Sequence, residues 1–83
     1  MIAYHLPAPT RVRLTIYTSL GAGVVALVDQ LQEAGLHTVK WDGCDRDGKQ
    51  MPGGWYLYRL DLDTRRQMRR FFLVPERAPK GHN

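Results

Sequence analysis

At 83 residues, with 43% hydrophobic and 24% charged residues, the chain has the balance of a folded protein rather than a disordered one, and it suffices for one small domain burying only about 60–65% of the surface its unfolded form exposes. A formal net charge of +4 and one cysteine, Cys44, exclude an internal disulfide and a zinc site made of cysteines. No apolar run approaches the ~20 residues of a membrane-spanning helix, and the start Met1-Ile-Ala-Tyr-His-Leu-Pro lacks the basic and then apolar stretch of a secretory signal, so the expected location is cytoplasmic.

A first short strand is expected from Ile2 to Leu6, ended by Pro7 and Pro9, since proline cannot donate to a central ladder. Next, Val12, Leu14 and Ile16 alternate with Arg11, Arg13 and Thr15. A period of two puts the three aliphatic side chains on a packed face and their neighbours on a wet one. Leu20-Gly-Ala-Gly23 reads as a turn. Spacing alone leaves Val24 to Glu33 open, because Val25, Val28 and Leu31 also suit a helical face. Val39 and Trp41 alternate with Thr38 and Lys40, and Tyr56, Tyr58, Leu60 and Leu62 alternate with Trp55, Leu57, Arg59 and Asp61. After a turn at Asp63-Thr64, the last strand is expected from Gln67 to Val74. The domain would then occupy 1–74, and 75–83 would form an extended, Pro-containing C-terminal tail.

The most specific pattern is Trp41-Asp42-Gly43, then Gly48 and Gly54, then Tyr56 and Tyr58-Arg59-Leu60, preceded by Ile16-Tyr17, Leu20-Gly21, Val24-Val25, Leu27-Val28 and Ala34-Gly35. In that order these residues resemble the immunoglobulin-like domain of flagellar hook-cap (FlgD-like) proteins and the related type IX secretion C-terminal domains of secreted bacterial proteins. The resemblance covers about Ile2 to Val74. It implies an all-β fold, an Ig-like antiparallel β-sandwich of about seven strands, with the aromatic matching Trp41 in the core and no enzyme's site. It also makes the Val24 segment a strand at its start, followed by a loop ending at Gly35. The sorting role of the secreted group requires an export signal and a cargo, and the sequence displays neither. Trp55 stands where the family usually has a smaller aliphatic residue.

Asp42, Asp45 and Asp47 lie close enough to raise the question of a calcium loop, because a hard cation takes several oxygens. Gly43 breaks the alternate-position order and no Glu closes the loop. Asp42 and Asp47 are instead expected to accept hydrogen bonds from backbone N–H groups two residues on, beside Gly43 and Gly48. Acidic neighbours disfavour a Cys44 thiolate. His5, His37 and His82, with the only serine, Ser19, offer no nucleophile and base in a recognisable pattern. Gly21-Ala-Gly23 is not followed by the Gly-Lys-Ser/Thr of a phosphate loop. No catalytic, cofactor-binding or metal-binding residue is assigned.

Arg65, Arg66, Arg69 and Arg70 beside Phe71 and Phe72 combine phosphate attraction with stacking surface, and the segment also suits a basic amphipathic helix on a membrane. Interleaved acids and the lack of a nucleic-acid-binding motif disfavour nucleic acid, and strand pairing is the preferred reading. Trp55 points away from the Tyr56/Tyr58 face, and the consecutive apolar residues Phe71 to Val74 must present some side chains outward. The expected function is a non-enzymatic structural or accessory subunit that docks onto other protein subunits of a larger assembly. Trp55, Leu57, Phe71, Phe72 and Leu73 are the expected contacts, with Arg65, Arg66, Arg69 and Arg70 at the rim. The host suggested is the cytoplasmic side of a membrane complex, photosynthetic or respiratory, with peripheral association at the inner face of the membrane. The alternatives are a flagellar hook-cap or secretion-related assembly domain and a basic nucleic-acid-binding module.

Overall fold

Alternation decides which side of each strand is buried. In the computed structural model, which describes residues 1–75, the strands are β1 Ile2–Leu6, β2 Thr10–Thr18, β3 Gly23–Gln32, β4 Gly35–Val39, β5 Gly54–Leu62 and β6 Arg65–Leu73. They form two antiparallel sheets, one of order β1-β4 and one of order β3-β2-β5-β6. Ile2, Tyr4 and Leu6 of β1 face Val12, Leu14 and Ile16 of β2 and Tyr56 and Leu60 of β5 across the core. Leu6, Val12, Leu14 and Ile16 are the most completely buried large side chains. The chain switches sheets at Pro7–Pro9, where proline's missing N–H costs no ladder bond. It switches back between β3 and β4 and again between β4 and β5, so these neighbours in sequence pair with different partners.

Several expectations are corrected. There are six strands rather than about seven. The long β4–β5 connection contributes only an isolated antiparallel bridge, Cys44 to Gln50, because its backbone donors are taken up within the connection, partly by the Asp42 and Asp45 side chains and partly by nearby carbonyls. The Val24 segment does not pass into a loop after its start: β3 extends to Gln32, paired with β2 as far as Thr10. Two register shifts in this pairing scramble the apparent period, which is why spacing left the segment open. The last strand begins at Arg65 and ends at Leu73, because the two-residue turn Asp63-Thr64 lets pairing start at once with Leu62 opposite Arg65. Thr15, expected on the wet face, is buried with its hydroxyl unpartnered. Its cross-strand neighbour is Arg59, whose guanidinium extends over the Tyr17 ring two residues along, so long side chains cover the position. The tail expected over 75–83 lies, from residue 76 onward, outside the described residues.

Candidate functional site

The β4–β5 connection is a framework for the aromatic core. The Trp41 indole N–H donates to the Cys44 carbonyl at 2.9 Å, and the buried Tyr56 hydroxyl donates to the Pro52 carbonyl at 2.6 Å. Trp41 lies edge-on to Tyr56 and Phe71, with ring centroids at 5.3 and 5.7 Å, a favoured arrangement for aromatic quadrupoles. The acidic side chains of this connection serve the backbone. Asp42 Oδ1 accepts from the Cys44 N–H at 2.9 Å, and Asp45 Oδ1 accepts from the N–H groups of Asp47 and Lys49, both at 2.9 Å. The second capping carboxylate is therefore Asp45, not Asp47, because the turn closes one step earlier, with the Gly48 N–H donating to the Asp45 carbonyl. Gly43 and Gly48 have φ of 82° and 84°, a region that residues with a Cβ avoid.

Among the described residues no three His, Cys, Asp or Glu side chains come together as a metal-holding group. Millimolar calcium is accordingly expected to leave the melting temperature unchanged, since a ligand bound to the native state would raise it by mass action. A rise of several degrees that Asp45→Asn abolishes would contradict this. Burial, together with the carboxylates of Asp42 and Asp45, pushes the Cys44 thiol above its usual pKa, which disfavours the thiolate. His37 stacks on Tyr4 with centroids 5.5 Å apart, and its Nε2 lies 2.7 Å from the Glu33 carbonyl, so it has a packing and bonding role. His82 lies outside the described residues.

The proposed contact residues divide between the two faces of the larger sheet. Leu57 opposes Arg70 and Trp55 opposes Phe72 in the β5–β6 register, so period two puts Trp55, Leu57, Phe72, Arg70 and Arg66 on the outer face. Phe71 and Leu73 take the inner parity and pack against the core. Arg65 and Arg69 share that parity at the exposed edge. On the outer face Trp55 and Phe72 are 50% and 54% exposed. Their rings meet edge to face at 5.2 Å, and the Arg70 guanidinium carbon lies 4.8 Å from the Trp55 centroid.

Away from this aromatic end the face becomes ionic. Asp61 accepts from Arg59 Nε and Arg66 Nε, each at 2.9 Å. Burial raises the Asp61 pKa, but the hydrogen bond and charge of Arg66 and Arg59 outweigh it and hold the carboxyl below its ordinary value. Sequence reading missed Tyr17, Arg59 and Met68 as members of the face. The signal was present for Tyr17, which shares outward parity with Arg11 and Arg13, and for Arg59, which alternates with Tyr58. No helix among the described residues is long and apolar enough to cross a membrane.

Residues 2–65 match the family model described as FlgD Ig-like domain. Comparison with curated proteins and with solved structures found no match.

Proposed function

The chain belongs to the FlgD Ig-like domain family, and on that premise we propose that it is a non-enzymatic assembly module that docks onto other protein subunits through the outer face of its four-stranded sheet. The observation that carries this reading is the Trp55–Phe72 pair, two half-exposed aromatic rings packed together on one face. Apolar surface left in water gains free energy when a partner covers it, and clustered Trp and Arg are the side chains that concentrate binding energy at interfaces. Leu57 extends the apolar patch, while Arg66 and Arg70 add positive charge that guides approach.

The setting we propose is the cytoplasmic face of a membrane complex, reached by peripheral contact. Support comes from the net charge of +4, which anionic leaflet lipids attract. The family match favours a second reading, an assembly related to the flagellar hook cap. The identity of the subunits that copurify with the tagged full chain separates the two.

The test is recovery of the chain with its partner subunits from native membranes and extracts. Trp55→Ala should weaken retention at least ~30-fold, the effect of losing about 2 kcal/mol at a hot spot, at every salt concentration and with an unchanged thermal melt. Arg66→Ala should matter mainly at low ionic strength, because exposed charges more than about 10 Å apart are screened at 0.1 M salt. The reading fails if the wild-type chain stays monomeric, copurifies with nothing and binds single-stranded nucleic acid with a steep salt dependence.

A further inference from the structure

Among the described residues no backbone ladder joins the two sheets, and along one side they part between β1 and β6. Tyr4 and His5 border a cleft of about 330 Å³ with Arg65 and Gln67, and Ile2 borders another of about 290 Å³ with Phe71 and Leu73. The two strands thus pass each other in opposite directions with an open seam between them. Among the described residues β6 pairs with β5 alone, through nine consecutive positions without a register shift. Its outward backbone N–H and C=O groups therefore form, among the described residues, an unpaired row about 30 Å long.

The opposite edge of the sheet is built differently. β3 carries two register shifts against β2, and bulges of this kind twist an edge away from an incoming strand. β6 has no bulge; it has Arg65, Arg66, Arg69 and Arg70. Of these four arginines, and among the described residues, only Arg66 meets a carboxylate, that of Asp61, while Arg65, Arg69 and Arg70 meet none. Like charges across a strand pair are destabilising and opposite charges stabilising. Crowding the arginines of two copies along one seam rejects a second β6, whereas an acidic strand turns the same side chains into cross-strand ion pairs.

We propose that the free edge of β6 is a strand-addition site for an extended acidic segment of another protein. The incoming strand would extend the four-stranded sheet. Its carboxylates would meet the arginines on both faces, and at the Leu73 end its inward apolar side chains would enter the cleft beside Ile2, Trp41 and Phe71. Main-chain bonding supplies affinity and charge supplies selection. This site shares Arg66 and Arg70 with the Trp55 face but uses the backbone edge of β6 rather than the Trp55–Phe72 pair, and it does not rest on docking there.

The test uses the full chain, isotope-labelled, and three synthetic peptides of about ten residues: one with glutamate on both faces over one half and valine alternating with glutamate over the other, the same with lysine for glutamate, and the glutamate peptide N-methylated at alternate residues. Addition of the glutamate peptide should slow amide exchange at least tenfold at alternate positions of β6 and leave β3 unchanged. The lysine and N-methylated peptides should bind at least tenfold more weakly. Equal binding of the N-methylated peptide would overturn the proposal by reducing the effect to charge attraction. Exchange in β6 that the peptide does not alter would also overturn it, as would β6 amides already protected in the free chain by a second copy or by other residues of the chain. A thymidine oligonucleotide binding as tightly as the glutamate peptide would reassign the arginines to nucleic acid. Trp55→Ala should keep the peptide-induced protection, so loss of outer-face docking and loss of strand addition are read separately.

Discussion

Leu14→Ala is expected to unfold much of the protein, at a cost of roughly 3–5 kcal/mol. Leu14 is 0% exposed at the centre of β2, the strand that pairs on both sides, with β3 and with β5. Backbone pairing on two sides holds its Cα in place, so the cavity left by the lost side chain cannot close by strand movement. A domain of this length has a total stability of about 4–12 kcal/mol, so the loss is a large share of the whole. Urea denaturation followed by circular dichroism measures it. With a slope of about 1 kcal/mol per molar for a small chain, the midpoint should fall by roughly 3 M, and a drop below about 1 M would show that the core relaxes around the site. Arg13→Ala, one residue away on the outer face, should change the midpoint little.

Trp41→Ala should cost about 3 kcal/mol, toward the lower end for a large aromatic, because Trp41 is only partly buried and packs against the core rather than within it. Two losses combine. The edge-to-face contacts with Tyr56 and Phe71 disappear, and the Cys44 carbonyl loses its indole donor, releasing the connection between β4 and β5. Trp41→Phe separates them. It keeps an aromatic ring against Tyr56 and Phe71 but removes the N–H, so its cost should be near 1 kcal/mol, that of a typical net hydrogen bond. Amide exchange in the Asp45–Lys49 turn should accelerate in both variants. Equal stability of Trp41→Ala and wild type would remove Trp41 as the tie between the connection and the core.

The period-two signal was legible wherever a strand was regular. Ile2 to Leu6, Val12 to Ile16 and Tyr56 to Leu62 declared their buried faces because one side of each meets the core and the other meets water. It was not legible in β3, where two register shifts interrupt the alternation. In β6 it was legible only in part, because an edge strand has few buried positions to mark. Of the candidate face, the outward direction of Trp55 followed from alternation with Tyr56. Its pairing with Phe72 did not, since that depends on how β6 aligns with β5, and the alignment is set by a two-residue turn.

Local chemistry within the sequence thus determined the character of the regular strands, the turns at Asp63-Thr64 and around Gly43 and Gly48, and the resemblance to an Ig-like family. Tertiary structure alone decided the rest. Register divided the four arginines between two faces, brought Arg70 over Trp55, joined Arg59 and Arg66 through Asp61, and moved Phe71 and Leu73 inward while Phe72 stayed exposed. Side-chain parity is a property of one strand, readable along the chain. Which side chains become neighbours depends on register: between β5 and β6 it is pinned by the two-residue turn, and which face of that hairpin lies inward is selected by packing against the core.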